Sequence, residues 1–341
     1  MPTKTLAVDL NMHAFNCLKV QDAAHTALLV GTMLGLAGCA SSEDFEAKGK
    51  PEIALNRIEV LSTAKQNFDD GVGAIRRGNI ADAKALFKKG LKESLSKKEY
   101  KIAYDCYLNT GRCEEVQENL DEAENYFRQT LSFAEKHFPS DKSKISDAVA
   151  SLGQVLAKKG NHKGGEKLLR KAVDMRISQE NWEMALDHAF KLKWFYEKTN
   201  QPAKQIENLE ELIKLQKLSK RADQLLIAKL YFEKGQKELN LHQKKDALES
   251  FKETHEALKV VSMSLESGPL LVDYASELRR LDKDSESDHA ILIAEKIAND
   301  APDSPAKAAL KEKIAKFKRE YPSTKAANSS SLPEQSGSGK E

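Results

Sequence analysis

A glycine-rich string at residues 160–167, GNHKGGEK, is the first stretch whose residue types could do chemistry. Phosphate-binding loops combine closely spaced glycines with a lysine that follows glycine directly and then a Ser or Thr. Here Lys163 follows a histidine, Lys167 follows a glutamate, and no Ser or Thr comes next. No strand pattern precedes the string either. We therefore predict no phosphate site in it.

The other candidate chemical groups also lack the spacing of a reactive site. Cys106 and Cys113 are seven residues apart on one predicted helix, which places their backbones about 10 Å apart, beyond disulfide reach. Their spacing is not a zinc signature, and none of the eight histidines forms a zinc-protease pair. We interpret both cysteines as small core residues, and His162, His242 and His289 as solvated residues in or near turns. The sequence predicts no catalytic residue, metal site or cofactor.

Cys39 is different, because it follows the uncharged apolar run of residues 26–38, TALLVGTMLGLAG. Thirteen residues are too few for a spanning helix, which needs about 20, but suit the core of a signal peptide. The ending Leu36-Ala37-Gly38-Cys39 resembles the lipobox of bacterial lipoproteins. That resemblance implies cleavage before Cys39 and attachment of lipid to its thiol. Ala40 stands where an inner-membrane protein of this class carries aspartate, so we expect an outer-membrane lipoprotein facing the periplasm, with a Gram-positive surface lipoprotein as the alternative.

The residues before the apolar run do not carry the positive excess of a typical signal peptide, because Lys4 and Lys19 are matched by Asp9 and Asp22. Translation from near Leu18 would remove the discrepancy, and mass spectrometry of the mature amino terminus would test it. The alternative is that this run forms a buried first helix in a cytoplasmic protein.

Residues 151–172, SLGQVLAKKGNHKGGEKLLRKA, are the clearest copy of a recurring two-helix unit. Leu152 and Leu156 share one helical face, Gly160-Asn161 interrupts it, and the same period resumes afterwards. Glycine inside a helix costs roughly 1 kcal/mol against alanine. Gly153 and Gly165 are therefore predicted to mark points where the two helices cross closely.

Six copies of this unit occupy most of the chain. Their equivalent starts are separated by 40, 42, 40, 42 and 43 residues and lie at Ala64, Tyr104, Ser146, Leu186, Ala228 and Leu271. The pattern of small and aromatic residues resembles the tetratricopeptide repeat (TPR) family, whose unit is about 34 residues. The resemblance covers residues 64–302 and implies an all-α fold. We expect a right-handed TPR-type α-solenoid of about six helix-turn-helix repeats with a C-terminal capping helix.

The predicted boundaries follow from these signals. Pro202, Pro269 and Pro305 suit the first turns of helices, and Ser140-Asp141 can cap the helix after Pro139. The last of these helices, from Pro305 to Tyr321, is expected to cover the end of the solenoid. We assign residues 1–38 to a signal peptide, 39–50 to a lipidated tether, 51–321 to the TPR-like superhelical domain, and 322–341 to a disordered tail.

In TPR solenoids the first helix of each repeat lines the concave face, so the resemblance implies a partner-binding groove there. The predicted groove residues are Phe68, Arg76, Leu108, Arg112, Gln154, Lys158, Phe190, Trp194, Phe232, Gln236 and Arg279. The basic and amide residues with which chaperone-binding TPRs hold a terminal carboxylate are not matched. Aromatic residues in a desolvated interface often contribute 2 kcal/mol or more each, which makes Phe190, Trp194 and Phe232 the expected anchors. The alternative is that these rings pack between repeats.

The charge composition excludes one class of partner. With 54 Lys and Arg against 52 Asp and Glu in 341 residues, opposite signs are interleaved and no basic face is evident. We expect no nucleic-acid binding. The sequence favours a non-enzymatic scaffold that binds a protein or peptide segment and is attached to the membrane through its N-terminal lipid. The competing hypothesis is a cytoplasmic TPR regulator or peptide sensor without lipidation, and the oligomeric state is left unassigned.

Overall fold

A computed structural model describes residues 62–261 and 264–322. The predicted signal peptide, Cys39, the tether, the start of the superhelical domain and nearly all of the C-terminal tail lie outside these residues. Every regular element of the described residues is an α-helix. The helices are α1 Thr63–Arg76, α2 Ile80–Ser96, α3 Tyr100–Val116, α4 Leu120–His137, α5 Lys142–Lys158, α6 His162–Ile177, α7 Trp182–Lys198, α8 Pro202–Leu218, α9 Gln224–Asn240, α10 Lys244–Val260, α11 Gly268–Arg280, α12 Asp284–Asp300 and α13 Pro305–Glu320.

Short polar side chains and prolines begin these helices where the sequence predicts. Asp141 accepts a hydrogen bond from the Lys144 N–H at 3.1 Å, and Ser304 accepts one from the Lys307 N–H at the same distance. Such caps satisfy backbone donors that have no partner within the helix. Pro202 is the first residue of α8, and Pro269 lies in the first turn of α11. The predicted helix starts are confirmed.

The turn inside each hairpin contains one residue with left-handed backbone geometry. These residues recur at intervals of 40, 42, 40, 42 and 40, at Gly78, Glu118, Gly160, Asn200, His242 and Asp282. The last interval shows that the predicted start of the sixth repeat at Leu271 is wrong by three residues, and Gly268 is the equivalent position. Pro269 begins α11 late, so this helix has 13 residues where α9 has 17. Because α11 is shorter, its leucines were aligned with the wrong positions of the other first helices.

Glycines allow the two helices of a hairpin to pack closely, as predicted. A Cβ atom on Gly71 would lie 2.6 Å from the Phe87 ring, and one on Gly235 would lie 2.7 Å from the Phe251 ring. In the hairpin of α5 and α6, a Cβ on Gly165 would lie 2.8 Å from the Ala157 backbone nitrogen. Real Cβ atoms do not approach other heavy atoms so closely, so each of these three hairpins requires a glycine at its crossing point.

The described chain divides into two compact units between Tyr126 and Phe127, within α4. In the first unit, Phe87 is fully buried and packs in a core with Val72 and Cys113. Cys106 and Cys113 are both buried free thiols, and burial raises the pKa of each to about 12. The thiolate is the reactive form of cysteine, so neither residue is reactive at neutral pH. The prediction that they are small core residues is confirmed.

The second unit contains the remaining hairpins and ends with α13. Leu310, Ile314 and Phe317 are buried on one face of α13 and join the hydrophobic core formed by α9–α12. Helix α13 packs against both α11 and α12. Because it covers apolar side chains of the last hairpin, it has the predicted role of a capping helix.

Candidate functional site

Polar contacts connect the first helices of successive hairpins in the second unit. Lys158 of α5 lies 5.9 Å from the centre of the Trp194 ring on α7. Lys193 of α7 forms an ion pair with Glu233 of α9 at 2.9 Å. We call the residues of these contacts, together with Phe190, the first-helix row. The row brings together Lys158, Phe190 and Trp194 from the predicted groove, and it adds an ion pair that was not predicted.

Phe190 and Trp194 provide the aromatic surface of the row. Both are half-buried and pack against the core that contains Leu192 and Phe195. They lie four residues apart, so they occupy one face of α7. Lys158 over the Trp194 ring adds a cation–π contact. A partner segment could bury the exposed parts of both rings without unfolding the hairpin.

Lys193 and Glu233 are a charged pair with restricted access to solvent. Their side chains are 19% and 29% exposed, and Lys193 also binds Glu197 at 2.7 Å. Burial would lower the pKa of Lys193, but Glu233 and Glu197 outweigh it and the pKa is raised. Burial raises the pKa of Glu233, opposed by the Lys193 ammonium. Lys193 occupies the repeat position at which residues 153 and 235 are glycine. This replacement of a small residue by a long one was the only sign in the sequence of the ion pair.

The structure places two predicted groove residues in the core. Leu108 is 5% exposed and Phe232 is 7% exposed, and Phe232 packs 5.7 Å from Phe251 between ring centres. Neither side chain exposes enough surface to anchor a partner. Packing of the hairpins covers part of the face of each first helix, and these two residues lie in the covered part. The packing alternative therefore describes Phe232 better than an interface role does.

The other predicted residues of the second unit lie beside or beyond the row. Gln154 is half-buried on α5. The Gln236 amide donates to Glu277 of α11 at 3.1 Å, so it continues the row of contacts to the next first helix. Arg279 is directed elsewhere, since its guanidinium binds Asp284 and Asp288 near the start of α12.

In the first unit the predicted residues have mixed environments. Phe68 is half-buried, and its ring centre lies 5.6 Å from that of Phe87. The Lys65 ammonium lies 5.6 Å from the centre of the Phe68 ring. Arg76 is exposed at the end of α1. Arg112 is half-buried, and its guanidinium donates to Asn109 at 3.5 Å. Phe68 thus has a mainly structural position, while the two arginines keep accessible charge.

One cluster contains the residue types of a nucleophilic site. The Ser146 Oγ lies 3.0 Å from His188 Nε2, and His188 Nδ1 lies 3.3 Å from an oxygen of Asp187. Ser146 is fully buried and His188 is 2% exposed, so no substrate can reach the hydroxyl. The cluster is therefore structural. In the same described residues, no group of three or more His, Cys, Asp or Glu side chains could hold a metal ion.

Known proteins resemble the chain only in structure. No family model and no curated protein matches its sequence. A structure of TPR-like repeats of a kinesin light chain from Podospora anserina matches 58% of this chain and 96% of its own, with 14% identity and a TM-score of 0.48. Pseudomonas aeruginosa PilF matches 76% of this chain and 97% of its own, with 14% identity and a TM-score of 0.45.

A Rap protein in complex with a competence and sporulation factor matches 74% of this chain and 65% of its own, with 17% identity and a TM-score of 0.46. Likenesses at this level transfer no partner or activity. In the described part of the chain, no helix is long and apolar enough to cross a membrane. From its helix hairpins, their spacing of 40 or 42 residues and the close contacts at their glycines, the chain has a TPR-like helical-repeat fold.

Proposed function

We propose that the chain is a non-enzymatic scaffold that binds a segment of a partner protein along the first-helix row. The observation that carries this proposal is the pair of half-buried rings, Phe190 and Trp194, bordered by the charges of Lys158 and Lys193. Aromatic anchors with polar surroundings are the usual composition of an interface centre. An amphipathic helix or extended segment would place its apolar side chains on the rings and its charges on the flanks.

Charged side chains lie on both sides of the aromatic pair, so a bound segment would place one apolar side chain between charged groups. The Lys193 ammonium is already paired with two carboxylates, so it is less available than an unpaired ammonium to bind a carboxylate of the partner. Lys158 is exposed, and a partner carboxylate could reach its ammonium. We therefore expect the bound segment to carry at least one acidic residue next to its apolar anchor.

Replacing Trp194 by alanine is expected to weaken partner binding about 30-fold, because an anchor ring contributes about 2 kcal/mol or more. The partner is first identified by crosslinking from a photoreactive residue at position 158, and its purified segment is then titrated against both proteins. Trp182 is the matched control, since it is half-buried on the same helix and packs on the same core. It lies about 120° around α7 from Trp194.

Trp182→Ala is expected to cost similar folding stability while leaving the affinity unchanged. If Trp194→Ala lowers the free energy of unfolding and does not change the affinity, the ring belongs to the core and the proposed surface is wrong.

We also propose that Cys39 carries lipid and holds the scaffold on the periplasmic face of the outer membrane of a bacterium. The support is the sequence Leu36-Ala37-Gly38-Cys39 after an apolar run, together with Ala40. A thioether to diacylglycerol requires the thiol, and two or more acyl chains give stable anchoring where one does not. The scaffold would then act at the membrane surface on assemblies of the envelope.

Cells grown with labelled palmitate are expected to incorporate the label into the wild-type chain, and Cys39→Ser is expected to remove it completely. The variant should also move from the membrane fraction to the soluble fraction. Cys106→Ser is the control, because its thiol is buried in the repeat and should not affect labelling. Equal labelling of wild type and Cys39→Ser would show that the lipid is not attached to Cys39, and no labelling of either would favour the cytoplasmic regulator without lipidation.

A further inference from the structure

A cleft with a volume of about 430 Å³ opens between the C-terminal half of α8 and the second and third turns of α9. We call it the basic cleft, and the residues that define it are Glu210, Ile213, Lys214, Lys217, Leu218, Tyr231 and Lys234. On α9, Tyr231 and Lys234 point about 160° away from Glu233 and Gln236. The basic cleft is therefore a different surface from the first-helix row.

Three lysines and one glutamate give the basic cleft a net positive charge. Lys214 is exposed, and among the described residues no ion pair to it is found. Lys234 is 15% exposed and lies 2.6 Å from Glu238 and 3.3 Å from Glu210, so its charge is largely matched. Two cations, Lys214 and Lys217, remain to attract an anion.

Tyr231 connects the charges to the apolar floor. Its hydroxyl accepts a hydrogen bond from the Lys217 ammonium at 2.9 Å, and the same ammonium lies 5.0 Å from the ring centre. The tyrosine O–H hydrogen is not used in that bond, so it can donate to an incoming carboxylate. The hydroxyl and the ammonium thus form one paired donor site.

The floor of the basic cleft is aliphatic and partly open to solvent. Leu218 is 45% exposed, which is unusual for a large aliphatic side chain in this structure, whereas Ile213 is 6% exposed. With the Tyr231 ring they form an apolar surface beside the lysines. The volume is in the range of peptide and ligand pockets, roughly 300–1,000 Å³, and admits one aromatic side chain with its neighbouring backbone.

We propose that the basic cleft binds an acidic segment of a partner protein in which carboxylates flank one aromatic residue. The aromatic ring would cover Leu218 and Tyr231, and the carboxylates would meet Lys214 and Lys217. A phosphate group is the poorer occupant, because no arginine lines the cleft to bind its oxygens in a bidentate manner. A phosphate would also leave the apolar floor of the cleft exposed to water.

The probe is a fluorescent peptide with the sequence Ser-Ser-Glu-Asp-Phe-Glu-Ala-Lys, in which three carboxylates surround one phenylalanine. Binding to the full chain is measured by fluorescence anisotropy at two salt concentrations. We expect saturable binding that weakens with salt. A peptide with alanine in place of phenylalanine, and one with amides in place of the carboxylates, should each bind at least tenfold more weakly.

The double variant Lys214→Glu/Lys217→Glu is expected to weaken probe binding at least tenfold. Both lysines are exposed, so the fold should be retained, and circular dichroism checks this. The matched control is Lys163→Glu/Lys167→Glu, which reverses two exposed lysines on α6. The control should change binding less than twofold. Equal losses in the two double variants, or no saturable binding by the wild-type chain, would overturn the proposal.

Two further experiments test whether the occupant belongs to a partner or to this chain, and whether the basic cleft is independent of the first-helix row. Residues 41–48 of this chain have the same sequence as the probe. If deleting them raises probe affinity tenfold, the chain's own segment fills the cleft, and the claim of a partner is overturned. Trp194→Ala should leave probe binding unchanged, so the basic cleft can fail or succeed independently of the first-helix row.

Discussion

Substitution of Gly165 by alanine is expected to lower the free energy of unfolding of the second unit by about 2 kcal/mol, and substitution by valine by about 3 kcal/mol. The added Cβ would lie 2.8 Å from the backbone nitrogen and the Cβ of Ala157, and 2.9 Å from the Gly153 carbonyl oxygen. Two of these three atoms are backbone, so the contact can be relieved only by separating α5 from α6. The gain in helix propensity, about 1 kcal/mol, does not offset that separation.

The neighbouring glycine provides a control for this prediction. A Cβ on Gly164 would meet only the side chain of Asn161, which can rotate away. Asn161 caps α6 by accepting from the Gly164 N–H at 3.0 Å, so some capping energy would be lost. We expect Gly164→Ala to change stability by less than about 1 kcal/mol, because the lost cap and the gained propensity nearly cancel. Urea unfolding followed by circular dichroism measures all three variants.

If Gly164→Ala and Gly165→Ala were equally destabilising, the crossing distance between α5 and α6 would not be the cause. The comparison is sharp because the two substitutions are chemically identical and adjacent in sequence.

The helix hairpins and their caps could be predicted because their signals are local. Apolar residues at helical spacing, a turn at Gly160-Asn161 and prolines at helix starts each act within one or two turns of chain. The phase of the sixth repeat could not be predicted, since α11 lacks one turn and its hairpin turn uses Asp282 in the conformation that glycine adopts at 78 and 160. A left-handed residue without glycine leaves no mark in the sequence.

The candidate site was predicted less completely, because it depends on contacts between residues about 40 apart. Trp194 and Lys158 were projected onto one face and do meet across two helices. Phe232 was projected onto the same face but packs inward on Phe251, since small rotations of a first helix decide which of its apolar residues is covered. The basic cleft gave no periodic signal, because its residues come from two successive helices, α8 and α9.

A buried ion pair inside the second unit was also missed. Arg176 of α6 is 2% exposed, and its guanidinium donates to the Ser143 carbonyl at 3.0 Å and to Asp147. Asp147 also lies 3.4 Å from His188. Burial would raise the pKa of Asp147, but the hydrogen bond from His188 and the charge of Arg176 outweigh it, and the pKa is lowered. The carboxylate is therefore charged and held by the fold.

Arg176→Met is expected to lower the free energy of unfolding by about 3 kcal/mol at pH 7, the lower end of the usual cost of removing one partner of a buried pair, because the Asp147 side chain is 24% exposed. Methionine fills part of the space but leaves Asp147 charged without its guanidinium. The control is Arg170→Met on the same helix, whose side chain is 38% exposed and pairs with Glu211. We expect that control to cost about 1 kcal/mol or less. Urea unfolding at pH 7 compares the two.

The pH dependence of stability separates loss of the ion pair from loss of packing. A carboxyl group whose pKa is lowered by folding stabilises the protein above its unfolded pKa, about 3.9, and that stability is lost as the pH falls through the folded value. The wild-type chain should therefore lose stability on acidification from about pH 5 downwards. In Arg176→Met the pKa of Asp147 moves back toward its unfolded value, so the decline should be shallower. An unchanged decline in the variant would show that Arg176 acts through packing alone, because only the ion pair links its removal to protonation of Asp147.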